Sequence, residues 1–206
     1  MRKDYGISAI IIDRETRPEA KLMLTAFSPQ EGLIYIFKKM SAKKTSLAPD
    51  LFDEIICTVQ SAGENSPIRF LKDFEPAAQR AEIAGSYAKL CAACHIAAIA
   101  KLNGQNIDEK PEFARLLAKT FDAIKNAADA DAVKIKFLYA FAKNQGYPVK
   151  EEFFNSLSAG DKESFTSIIN TPASFIEPET SRSGKLIERV CRWIESSTDI
   201  LLPKDT

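Results

Sequence analysis

Two groups of residues in this chain carry chemical potential: Cys91-Ala92-Ala93-Cys94-His95, and the lysines at 38, 39, 43 and 44. The first matches C-x-x-C-H, the pattern of covalent haem attachment, in which two thiols add to the haem vinyls and the adjacent imidazole becomes an axial ligand. That chemistry needs a loop or helix end where the macrocycle can sit, and a second axial ligand. Here the motif falls in an alanine-rich helical stretch, with about three turns of helix expected before Cys91, and His95 is the only histidine. A thioredoxin-like redox pair would need its first cysteine at a helix N-terminus, where the dipole lowers the thiol pKa. Zinc needs four ligands, and Cys57 and Cys191 stand alone in the sequence. The pattern therefore predicts small apolar thiols buried on a packing face, with His95 flanking them, and neither a metal nor a cofactor.

No other catalytic set stands out. A single histidine leaves no Ser-His-Asp arrangement except at that helix, and the phosphate-loop, dinucleotide and H-E-x-x-H patterns are absent. Asp129 and Asp131, like Glu151 and Glu152, fall near expected helix ends, where solvated capping accounts for them. The expectation is a binding protein and not an enzyme.

The lysines belong to a different device. In Ala20–Lys44, Leu22, Leu24 and Ala26 alternate with Lys21, Met23 and Thr25, the period of a strand. Ser28-Pro29-Gln30-Glu31-Gly32 supplies a turn, and Leu33–Phe37 resumes in β-branched and aromatic residues before Lys38, Lys39, Lys43 and Lys44. A hairpin that delivers four ammonium groups to one rim of a sheet suits phosphate binding; its bland counterpart is a solvated edge. Arg14 and Arg17 extend the basic surface from the neighbouring strand. Tyr35 and Phe37 alternate with Ile34 and Ile36, so one pair faces the core; turned outward, Tyr35 and Phe37 stack bases.

Charge is balanced over the 206 residues, so no global field draws the chain to nucleic acid or membrane. It is uneven locally: the first 44 residues hold nine Lys/Arg against five Asp/Glu. That asymmetry suggests an anion-facing part and a scaffold. Neither a secretory leader nor an apolar run of transmembrane length is apparent, which predicts a cytoplasmic protein with reduced thiols and no membrane partner.

The elements that must position these residues fall into two halves. Ile7–Ile12, the hairpin strands, Leu51–Gln60 and Ile68–Phe74 read as five short strands, the last two flanking the turn-rich 61–67. With a long polar connection at 41–50, they fit a small barrel of the OB type; an SH3-like barrel has a similar strand count. After Glu75-Pro76 the period becomes helical. Ala77–Leu102 reads as a long helix with Ile83, Tyr87, Leu90, Cys91, Cys94 and Ala98 on its apolar stripe. Further helices are expected from Pro111 through Ile124, over Val133–Asn144, Glu151–Leu157 and Lys162–Ile169, and over Ser183–Ser197. The fold expected is multidomain α+β: a five-stranded OB-type barrel over 1–76 and an all-α domain over 77–206.

In the order of these features the chain resembles the RecO family, bacterial mediators of recombinational repair. Ile10–Arg14 is similar to the family's opening strand, and Glu19 precedes the second. Leu24-Thr25-Ala26-Phe27-Ser28 and Glu31-Gly32-Leu33-Ile34 resemble its strand and turn. Lys39 stands at the lysine of the family's Ala-Lys-Gly segment, and Lys43 and Lys44 match the basic residues after it. Phe137–Tyr147 resembles the helix ending in Gly-Tyr, and Leu157–Thr171 and Leu186–Leu202 its closing helices. Met40 and Ala42 depart from the usual Gly and Arg. The four-cysteine zinc module of many relatives is missing after Tyr147-Pro148, which implies a compact, metal-free member.

The resemblance implies a cytoplasmic, nucleoid-associated protein that binds single-stranded and double-stranded DNA without sequence specificity and anneals complementary strands. It also implies contact with the acidic C-terminal tail of the single-stranded-DNA-binding protein SSB, pairing with RecR, and help in loading RecA. The expected DNA-binding residues are Lys38, Lys39, Lys43, Lys44, Arg14, Arg17 and Tyr35. A basic-edged groove near Lys134, Lys136 and Lys143 is a candidate for the tail. Two alternatives stay open: an adaptor that holds SSB or RecR and touches DNA little, and, remotely, a thiol redox or haem protein built on Cys91, Cys94 and His95.

Overall fold

The first strand explains why its apolar run is continuous. β1 (Asp4–Arg17) carries a β-bulge between Ile11 and Asp13. Ile11 packs inside a barrel, while Ile10, opposite Phe27, is buried on the outer side. The computed structural model describes residues 4–18, 21–39, 47–63, 66–178 and 182–204. The chain divides into two compact units, Met1–Ala81 with Ala100–Ala118 and Glu82–Ile99 with Lys119–Thr206.

In the first unit, β2 (Lys21–Ser28) and β3 (Gly32–Lys39) form the expected hairpin. Gly32 takes φ +81° in the turn, where a side chain would be strained, and the Ser28 hydroxyl accepts from the Gln30 amide at 3.2 Å. β4 (Glu54–Ser61) and β5 (Ile68–Ala78) pair antiparallel; β4 also pairs with β1, and β5 runs parallel to β3. The resulting order, β1-β2-β3-β5-β4, closes a five-stranded barrel of the OB type. Its interior is filled by Ile7, Ala9, Ile11, Leu22, Leu24, Ala26, Ile34, Ile36, Ile55, Cys57 and Val59. Alternation along each strand sends these side chains inward and their neighbours outward.

Polar groups close the barrel at both ends. At one end the Arg69 guanidinium meets Glu31, with Nε donating to Oε2 at 2.8 Å. Tyr5 joins them; burial, then its hydrogen bond to Glu31, raises its phenol pKa. At the other end Lys38 reaches over the Phe74 ring, 4.9 Å from its centroid, and donates to the Leu47 carbonyl.

The chain leaves the barrel through Arg80, whose side chain is 1% exposed. Arg80 Nη1 donates to the Phe52 carbonyl at 2.7 Å, Nη2 donates to the Ala118 carbonyl at 3.4 Å, and Nη2 lies 3.6 Å from the Glu54 carboxylate. Phe52 itself sits at φ +67°, a backbone region costly for a residue with a Cβ. Arg80 thus ties down the strained loop before β4.

The helix expected from Ala77 begins later. Ala77 and Ala78 finish β5, with Ala78 opposite Glu54, and a 3₁₀ turn over Ala81–Gly85 precedes α1 (Tyr87–Asn103). Ladder pairing overrides the helix preference of alanine, and Pro76 is accommodated because the β4–β5 register shifts beside it, between Glu54 and Ile55. α2 (Lys110–Asn126) starts with Pro111 in its first turn. Within the first unit Phe113 meets Phe27 edge-on at 4.9 Å. Gly104 approaches the same place so closely that a Cβ would lie 3.2 Å from that of Leu33.

The second unit contains α3 (Ala130–Asn144), α4 (Ala159–Asn170) and α5 (Ser183–Ser197), the last with the bounds the apolar stripe predicts. Asp129 and Ser158 cap α3 and α4 by accepting from the amides of Ala132 and Asp161. The expected helix at 151–157 is a π-helical turn over Lys150–Phe154. Phe153 packs against Phe165 and Trp193 at 5.4 and 5.6 Å. Among the described residues, no helix is long and apolar enough to cross a membrane.

Candidate nucleic-acid interface

The register of β1, β2 and β3 sorts the outward side chains into cross-strand rows. At the far end of the hairpin Arg17 lies opposite Lys21, and Lys21 opposite Lys39, so three cations stand side by side. The next row is Glu15, Met23, Phe37 and Phe70; the one after is Asp13, Thr25, Tyr35 and Ile68. The row beyond, Ile10, Phe27 and Leu33, is buried. The first two rows reach solvent: Arg17, Lys21, Lys39 and Phe70 are exposed, and Met23 and Phe37 are half-buried. Phe37 and Phe70 lie 6.4 Å apart with tilted rings.

Like charges directly opposite one another on neighbouring strands repel, so a row of three cations favours an anionic counterpart. In the described rows Glu15 pairs with Arg17 at 2.8 Å, and Asp13 with Lys101 at 2.6 Å. The outer face of strands 2 and 3 is the one on which OB barrels take oligonucleotides. An ammonium row beside an apolar aromatic row provides what a single strand needs, phosphate neutralisation and a stacking platform, without a sequence code.

The structure separates the expected site residues. Lys39, Arg17 and Tyr35 share this outer face. Lys38 does not: it lies opposite the buried Leu22, on the inward side at the rim, and burial lowers its pKa. Arg14 lies opposite Leu24 and pairs with Asp50 at 3.1 Å, away from the cation row. Lys43 and Lys44, with Met40 and Ala42, lie outside the described residues. Lys21, Met23 and Phe70 are additions; the strand alternation already marked Lys21 and Met23 as outward.

On the helical unit, Lys134 pairs with Asp131 at 3.2 Å and Lys136 donates to the Ile169 carbonyl at 3.0 Å, leaving only Lys143 exposed of the three lysines expected to edge a groove. A different concavity, about 300 Å³, lies between Phe153, Leu157 and Trp193 with Arg189 and Arg192 beside it. The Trp193 indole N–H is buried, with no acceptor among the described residues.

The thiols are placed contrary to expectation. Cys91 and Cys94 are exposed and Tyr87 is 84% exposed, while α1 buries Ala92, Ala93, Ile96, Ala97, Ile99 and Ala100. Cys91 also follows one turn of helix and not three, because α1 starts at Tyr87. Cys57 is the buried thiol, its pKa pushed up to about 11 by desolvation and then by the Glu31 charge. No protein-family model matches the chain, and no curated protein matches it.

Proposed function

We propose that this protein is a RecO-like mediator that binds single-stranded and duplex DNA through the outer β1–β2–β3 face of its barrel. The observation that carries this reading is the adjacency of the Arg17–Lys21–Lys39 row to the Met23–Phe37–Phe70 row. Cations on one line track a phosphate backbone, and the neighbouring apolar line accepts base faces. Annealing follows if bases are held splayed while their pairing edges remain open. The Phe153–Leu157–Trp193 concavity beside Arg189 and Arg192 suits an acidic peptide such as the SSB tail. Pairing with RecR and help in loading RecA belong to the same reading.

The test is fluorescence anisotropy of a labelled oligothymidine at low salt. Binding is expected, and Phe37→Ala should weaken it by about 1–3 kcal/mol, the scale of one lost base–aromatic stack. No binding at low salt would leave the adaptor reading, which rests on the helical concavity alone.

A further inference from the structure

The two outward rows of the β1–β2–β3 face differ in what they can recognise. Arg17, Lys21 and Lys39 offer charge, and every nucleic acid, single-stranded or paired, presents phosphates to them. Met23, Phe37 and Phe70 are uncharged and gain only from the face of a base. In a duplex each base face is already covered by the neighbouring pair. A protein side chain reaches it only as a projecting wedge that unstacks a step and kinks the helix.

The aromatic row is not built as a wedge. Phe37 lies in the middle of the face, opposite Met23 on β2 and opposite Phe70 on β5. Tyr35 and Lys39, two residues away on β3, flank it along the strand on the same side. Phe37 and Met23 are half-buried, Phe70 is 39% exposed, and the Phe37 and Phe70 rings rest 6.4 Å apart at 46°. Rings set into a continuous floor serve bases that are already unstacked and do not reach between stacked ones. Outward residues two apart on a strand are separated by about 6.7 Å. A nucleotide laid along β3 can therefore set its phosphate by Lys39 and its base on Phe37.

Given DNA binding by this face, as proposed above, we infer that the Met23–Phe37–Phe70 row senses strandedness: it holds single strands and adds nothing to duplex binding, which falls to the cation row. Pairing of a complement withdraws the base faces from the row. An annealed product thereby loses part of its hold and leaves, and the face is free for the next single strand.

The experiment compares a labelled oligothymidine with a labelled duplex of the same length, by anisotropy at low salt, for the unaltered full chain, Phe70→Leu and Lys39→Ala. Leucine keeps an apolar contact with Phe37 but lacks a ring face, and circular dichroism checks that the fold is unchanged. Phe70→Leu should lower the ratio of single-strand to duplex affinity by roughly 5- to 150-fold, the scale of one lost stack. Lys39→Ala should weaken both DNAs and move that ratio by about twofold at most, because a phosphate contact is lost from each. A Phe70→Leu variant that weakens both DNAs equally, or neither, overturns the inference while leaving DNA binding by the face intact. Failure of the unaltered protein to bind either DNA overturns DNA binding itself, and the inference with it.

Discussion

Replacing Lys21 and Lys39 together with alanine should change the salt dependence of single-strand binding by a calculable amount. These are the two lysines of the cation row; Arg17 is discounted because Glu15 sits 2.8 Å from it. Each phosphate neutralised on a single strand contributes about 0.7 to the slope of log affinity against log salt, so losing two makes the slope about 1.4 less steep. Between 50 and 200 mM salt the advantage of the unaltered protein over the variant should therefore shrink about sevenfold. Anisotropy titrations of a labelled oligothymidine at four or five salt concentrations measure this directly. Parallel lines for the two proteins would refute the assignment: the variant would then be weaker for a reason other than lost phosphate contacts.

Adjacent lysines should behave differently. Lys39→Ala is expected to weaken DNA binding, whereas Lys38→Ala should leave it within about twofold and lower stability by about 1 kcal/mol, through the lost Leu47 hydrogen bond and Phe74 contact; equal effects on affinity would contradict the strand register. Arg80→Ala should cost about 3 kcal/mol in urea unfolding, because the Phe52 carbonyl loses a buried donor and Glu54 its ion pair. A loss under about 1 kcal/mol would mean that the loop is held by other contacts. With an aromatic disulfide reagent at pH 8, Cys91 and Cys94 should react at once, while Cys57 should wait for unfolding. Burial raises the Cys57 pKa to about 11, so only about one molecule in a thousand carries the thiolate at that pH. Fast reaction of three or more thiols in the folded protein would contradict this arrangement.

The hairpin was legible because every local signal agreed: alternation in β2, turn residues at 28–32, and aromatic and β-branched residues in β3. Its register was implicit as well, since pairing Ser28 with Gly32 sets Lys21 opposite Lys39. The same alternation makes Lys38 an inward residue, a consequence hidden when four lysines are read as a single patch. α1 was illegible in orientation for a physical reason. Alanine, cysteine and isoleucine surround it with little polar contrast, so the sequence does not mark which face is buried, and the opposite face from the expected one packs. Its start was hidden because Pro76 and Ala78 are held in β5 by partners more than twenty residues away. Arg69 and Glu31, 38 residues apart, meet only once the barrel has closed.

The first unit is discontinuous along the chain, since residues 100–118 complete what residues 1–81 begin. During synthesis the barrel strands emerge first, with Phe27 and Leu33 still lacking the segment that buries them. Their outer face stays open to water until Gly104 and Phe113 leave the ribosome. A fragment cut at residue 81 would carry every strand and still present that apolar row to water. The smallest piece with a completed barrel surface ends near Ala118.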